Sequence, residues 1–273
     1  MTTVLHISDP HFGTGRNEVC NALLDLAGQQ APDIVLLSGD ITQRARRQQF
    51  AAAQDFIAQL PAPVLAVPGN HDIPLFNLPA RCFNPYGNYS AALGEDLEPE
   101  FESDALLVVS VNSTRAARHK NGEVSQQQIE RVAERLRRAR PAQLRLVMQH
   151  HPVSAVEESD VSNLLIGREL AVPAWVDAGM DVLLAGHIHL PYVRPLSGTT
   201  GRSGWTAQAG TALSRRTRGT VPNSVNLIRY RTSDGRSPAM GGRAGPCFLE
   251  RWDFEQPSNR FVRVDQRELV LER

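Results

Sequence analysis

Five short segments carry side chains able to bind metal or move protons: Asp9-Pro10-His11, Gly39-Asp40, Gly69-Asn70-His71-Asp72, Gln149-His150-His151-Pro152 and Gly186-His187-Ile188-His189. Six of the chain's eight histidines lie in them, leaving His6 and His119 outside. Aspartate, asparagine and histidine without cysteine make a set of oxygen and nitrogen donors. That set suits hard-to-borderline divalent cations: Mn, Fe or Zn, with Co or Mg also compatible. There are too many donors for one ion. Asp9 and Asp40 are the anions among the direct candidates, so two divalent cations would leave about +2 before water binds. Such a charge lowers the pKa of a bound water and attracts a phosphate oxygen. The competing reading, that these residues only cap strands and form turns, needs five independent segments to imitate one pattern.

Each segment follows a short apolar run: VLHIS (4–8), IVLLS (34–38), VLAVP (64–68), LRLVM (144–148) and DVLLA (181–185), with LLVVSV (106–111) as a sixth run. Their length and their Val, Leu and Ile content predict strands buried on both faces. Helical spacing lies between them: Val19, Leu23 and Leu26 share one face, as do Phe50, Ala53, Ile57 and Leu60. A further helix is expected from Ser125, where Ser-Gln-Gln-Gln has capping-box spacing. The alternation makes this an α/β protein. In such sheets ligands bind at the carboxyl ends of strands, so the five segments should converge on one crevice. The glycines before Asp40, Asn70 and His187 are expected to supply unusual turn angles. After residue 200 the pattern becomes strands: 205–213, 224–231, 247–255 and 259–269. Residues 233–246 read as a Gly-, Pro- and Ser-rich loop, and 247–271 as a C-terminal β-hairpin packed on one domain spanning 1–273.

The order D-x-H, G-D, G-N-H-D, H-x-P, G-H-x-H resembles the calcineurin-like metallophosphoesterases, most closely the bacterial cyclic-nucleotide and glycerol phosphodiesterases. The resemblance runs from Asp9 to His189. It implies two packed mixed sheets flanked by helices, a four-layer αββα sandwich. It further implies that Asp9, His11 and His189 hold one metal, that Asn70, His150 and His187 hold a second, and that Asp40 bridges both. His71 is then a general acid or transition-state stabiliser, and Asp72 orients its ring. The adjacent His151 stays an alternative to His150, with H-x-P favouring His150. The implied reaction is hydrolysis of a small phosphodiester by a hydroxide bridging the two ions. A phosphomonoesterase or nucleotide pyrophosphatase would use the same site, and a non-catalytic metal-binding scaffold is the rival from another class.

Other features set the partner. Lys plus Arg and Asp plus Glu are 29 each, giving a net charge of zero in 273 residues, which argues against nucleic acid. No apolar stretch is long enough to cross a membrane, the N-terminus lacks signal-peptide features, and three scattered cysteines fit a reduced, cytoplasmic setting. A homo-oligomer is left open. From Leu190 to Ser233 there is no Asp or Glu but seven arginines, so Arg215 and Arg216 are candidate contacts for a small anionic phosphoester. Asn112 is a third candidate, with turn formation as its alternative. His6 reads as a core histidine and His119 as a solvated loop residue. Arg131, Arg135, Arg137, Arg138 and Arg140 read as the wet face of a helix. Residues 153–168 read as a loop over the site.

Overall fold

The computed structural model describes residues 1–232 and 245–272. The expected loop at 233–246 therefore falls, except for its last two residues, outside the described residues. The first sheet contains β1 (Thr2–Ile7), β2 (Ile34–Ser38), β3 (Val64–Val67), β10 (Ser224–Tyr230), β11 (Cys247–Glu255) and β12 (Arg260–Leu269). Its strand order is β12-β11-β10-β1-β2-β3. The second contains β4 (Glu100–Glu102), β5 (Leu106–Ser110), β6 (Leu144–Met148), β7 (Val182–Ala185), β8 (Tyr192–Ser197) and β9 (Ser203–Gln208), ordered β4-β5-β6-β7-β9-β8. The helices are α1 (Asn17–Gln30), α2 (Arg47–Ile57), α3 (Leu78–Phe83), α4 (Gly87–Leu93), α5 (Gln126–Arg137) and α6 (Arg168–Asp177).

Successive strand residues point to opposite faces, and here both faces are apolar. In β1 and β2, Leu5, Ile7, Val35 and Leu37 pack against α1 and α2, while Val4, Ile34 and Leu36 turn to the other sheet. In β5, Leu107 and Val109 meet the helix side, and Leu106 and Val108 the other sheet; Leu183 and Leu184 divide likewise in β7. This double burial is why the strands read as continuous apolar runs. Each such side chain contributes roughly 1.5–3 kcal/mol by leaving water. Helix, sheet, sheet and helix thus form four layers around three apolar clusters.

Local signals explain the element starts. Ser125 Oγ accepts the Gln128 amide at 3.2 Å and Gln128 Oε1 accepts the Ser125 amide at 3.0 Å, closing the capping box that opens α5. The helix's arginines are only partly a wet face. Arg131 and Arg135 pair with Glu98, Glu100 and Glu102 around β4, and Arg140 pairs with Asp104, while Arg137 and Arg138 stay exposed. At the C-terminal end β11 pairs antiparallel with β12 on one side and with β10 on the other.

β1, β2 and β3 run parallel, and so do β5, β6, β7 and β9. All the candidate ligands follow the carboxyl ends of these strands. The crevice differs from that of one open sheet, because both sheets contribute their ends to it.

Candidate metal centre

Asp9 and His11 follow β1, Asp40 follows β2, and Asn70 and His71 follow β3; His150 follows β6, and His187 and His189 follow β7. Among the described residues, possible ligand atoms lie within 4.8 Å of one another in three groups: Asp9, His11 and His189; Asp9, Asp40 and His150; and His150, His151 and His187. Asp40 lies between the sets: its Oδ2 is 3.7 Å from His11 Nε2 and its Oδ1 is 3.3 Å from His150 Nε2. Asn70 Oδ1 is 3.3 Å from the same His150 nitrogen.

The backbone here is unusual. Asp9, His11, Asp40, His187 and His189 have φ of 50°, 46°, 49°, 76° and 56°. Non-glycine residues adopt this left-handed region at about 1–2 kcal/mol each, and such strain gathers where function fixes a side chain. Hydrogen bonds between the loops hold it: Asp9 N to Gly39 O at 3.1 Å, His11 N to Asp40 O at 3.0 Å, and Gly186 N to His150 O at 2.9 Å. Two of the three glycines act otherwise than expected. Gly39 alone of the three has a positive φ, 88°. A Cβ on Gly69 would lie 2.1 Å from the Asp40 amide nitrogen, and one on Gly186 1.8 Å from Ser8 Oγ, so those two are required by close approach.

The donors fit divalent cations. Asp9 Oδ2 accepts from Ser8 Oγ and from the His187 amide, while its buried Oδ1 has no hydrogen bond and lies 3.2 Å from His189 Nε2. Both ring nitrogens of His187 are buried without partners as well. His11 Nε2 and His189 Nε2, two basic nitrogens, stand 3.1 Å apart. Carbonyls set the tautomers: His150 Nδ1 donates to Ser38 O at 2.8 Å and His189 Nδ1 to Arg216 O at 2.6 Å, so each Nε2 faces the cluster. Buried lone pairs aimed at one point are what a cation needs and what a protein otherwise avoids.

Electrostatics agree. Burial pushes the pKa of His11 and of His187 down to about 3, leaving neutral ligands. Burial opposes charge on His150 too, but the Asp40 carboxylate outweighs it and lifts this histidine to about 9. Burial likewise disfavours the charged forms of Asp9 and Asp40, yet neighbouring histidines hold both carboxyls below the usual range. Protons on histidine supply the positive charge that cations would supply instead.

His151 is already engaged. Its Nδ1 lies 2.8 Å from Ser113 Oγ and its Nε2 donates to Lys120 O at 3.0 Å, whereas His150 keeps a nitrogen facing Asp40. His71 reaches the cavity with Nε2 4.0 Å from Asp40 Oδ2. Its ring is held by Gln43, whose backbone carbonyl accepts from Nδ1 at 3.0 Å. Asp72, expected to orient that ring, is placed differently. Its carboxylate accepts from the amides of Gly69, Ile41 and Thr42 and from Thr42 Oγ1, pinning the loops after β2 and β3 together. Burial, with Asp40 nearby, raises this carboxyl to about 6.

The cluster opens into a cavity of about 1030 Å³ lined also by Gln43, His119, Lys120, Asp160, Asn163 and Arg216. Residues 153–168 thus do reach the site, through Asp160 and Asn163. Arg216 faces it, but Arg215 lines a different cavity with Arg16 and Phe254. Asn112 is not brought there either: its Oδ1 accepts from the amide and hydroxyl of Thr114, so it forms a turn. His6 is a core histidine, with Nε2 2.8 Å from Ser38 Oγ and its pKa lowered to about 3 by burial. Sequence reading missed Gln43, which has no signature beyond lying three residues after Asp40.

The family model for calcineurin-like phosphoesterases matches residues 2–191, and the chain belongs to that family. A cAMP/cGMP dual specificity phosphodiesterase of Mycobacterium tuberculosis is 30% identical over 203 residues, 68% of this chain and 61% of that protein. A probable cyclic nucleotide phosphodiesterase of a Synechococcus species is 26% identical over 174 residues, 63% of this chain and 64% of the relative. A probable glycerophosphodiester phosphodiesterase of Arcobacter nitrofigilis is 28% identical over 58% of this chain and 57% of its own. The chain thus spans under two thirds of these relatives' lengths. In fold, it is similar to a dimetal phosphatase from Danio rerio, with TM-score 0.64, 16% identity and 99% of each chain covered. It is also similar to a purple acid phosphatase from yellow lupin, with TM-score 0.68 and 13% identity over 98% of this chain and 53% of that one.

Proposed function

We propose that this chain hydrolyses a small phosphodiester in a site that holds two divalent cations. The observation that carries the reading is Asp40, a buried carboxylate with one oxygen toward His11 and the other toward His150. In this reading Asp9, His11 and His189 would hold one ion, Asn70, His150 and His187 would hold the other, and Asp40 would serve both. Such a pair supplies Lewis acidity and a water acidic enough to be a nucleophile near neutral pH. The protein's own part is positioning and proton transfer. Asp40 Oδ1 accepts the His71 amide at 2.8 Å, which fixes where the His71 ring begins. With Nδ1 donating to Gln43 O, the ring presents Nε2 to the cavity, where its protonated form donates to a developing oxyanion or leaving alkoxide. Asp72 keeps the loops carrying Asp40 and Asn70 in register.

The names of the relatives support a small diester, with cyclic nucleotides and glycerophosphodiesters as the classes to try first. The test strips the protein with chelator and adds back Mn, Fe, Zn, Co or Mg singly. Hydrolysis of bis(p-nitrophenyl) phosphate is then compared with that of p-nitrophenyl phosphate. Metal-dependent turnover favouring the diester is expected. A preference for the monoester would replace the reading by a phosphomonoesterase. Two bound ions with no turnover of either ester would favour a scaffold.

A further inference from the structure

Four arginines in the region after β7 and β9 or beside His71 have different fates, while Lys120 lines the same cavity from the loop before α5. Arg218 is consumed: its Nη1 lies 2.6 and 2.7 Å from the two oxygens of Asp160. Arg215 turns to the other cavity, and Arg44 lies over the Phe76 ring at 5.3 Å. Arg216 is the exception. Its Nη1 donates to Gln43 Oε1 at 3.2 Å and stands 3.5 Å from His71 Nε2. No carboxylate among the described residues pairs with it, and Nε and Nη2 have no protein partner there. The base of the side chain is fixed by its own backbone, because Arg216 O accepts from His189 Nδ1 and Arg216 N donates to Ser214 Oγ at 3.0 Å.

A guanidinium lining a cavity whose donor set fits cations would favour an anion between itself and those cations. Its planar fork matches two oxygens of a phosphate, and the N–H bonds of Nε and Nη2 are there to donate. We propose that Arg216 is a substrate-binding residue that clamps the phosphate beside His71, with Gln43 as its positioning residue. Gln43 then has two tasks: its backbone carbonyl fixes the His71 ring, and its side-chain oxygen fixes the Arg216 guanidinium. The inference rests on the phosphoesterase reading of the same site.

The test uses metal-loaded protein with metal content measured for each variant. Inorganic phosphate is titrated calorimetrically, and KM and kcat are taken with bis(p-nitrophenyl) phosphate. Arg216→Ala is expected to keep both ions, since a backbone carbonyl holds His189. It should weaken phosphate binding and raise KM by about ten- to a hundredfold. Arg216→Lys should recover only part of this, lacking the fork. Gln43→Glu leaves the His71 anchor in place but pairs the guanidinium, so phosphate should again bind more weakly. Arg215→Ala should match the parent. Arg216→Ala protein holding its metals and binding phosphate as the parent does would overturn the proposal. If phosphate binding depends on Arg216 but no ester is hydrolysed, the clamp stands and the hydrolytic reading falls.

Discussion

His71 is anchored at Nδ1 by the Gln43 carbonyl and turns Nε2 into the cavity, an arrangement suited to passing a proton rather than holding a metal. Its removal should therefore separate binding from chemistry. His71→Ala is expected to keep both ions by elemental analysis while kcat falls on the order of a hundredfold or more. The convergence of the candidate ligands was legible because aspartate and histidine recur at strand ends. Their left-handed backbone was not, since nothing in an Asp-Pro-His triplet reports a φ of 50° at Asp9. Glycines divide the same way. Gly186→Ala drives a methyl within 2.3 Å of Asp9 Oδ2 and should lower metal affinity in a calorimetric titration. Gly28→Ala, in α1 with nothing within 4 Å of the new Cβ, should raise stability by about 0.5–1 kcal/mol in urea unfolding.

At the scale of elements, the loops after β2 and β3 are joined by one carboxylate. Asp72 is 1% exposed and accepts three backbone amides. Asp72→Ala leaves those donors buried and unpaired, at about 1–3 kcal/mol each. A loss of several kcal/mol in denaturant unfolding is expected, with Asp72→Asn milder because its amide oxygen can keep part of the set; unchanged stability would contradict the role. A sequence shows Asp72 beside His71 but not which way its carboxylate turns, so the neighbour in the chain was mistaken for the partner in space. The six apolar runs were legible because burial on both faces leaves an unbroken pattern. β8 was not: Pro195 interrupts it, which is tolerated because β8 is, among the described residues, an edge strand of its sheet. Helix α6 hid for a related reason, carrying Pro173 within ten residues.

Across the whole molecule, the candidate ligands come from both sheets, Asp9, His11, Asp40 and Asn70 from the first and His150, His187 and His189 from the second. Cations there would tie the carboxyl ends of the two sheets together and so stabilise the native state by mass action. At a hundredfold excess over Kd each ion adds about 2.7 kcal/mol. Thermal unfolding should therefore rise by roughly ten degrees when chelated protein is reloaded. The order of five motifs carried the family resemblance, which in turn implied the layered fold, whereas the sharing of the site between two sheets depends on strand pairing that spacing does not encode. The most direct test is the number of ions bound per chain, by elemental analysis after loading and removal of free metal, in the parent and in Asp40→Ala. The account predicts two in the parent and loss of both when the shared carboxylate is removed. A single ion in the parent, or two retained without Asp40, would contradict it.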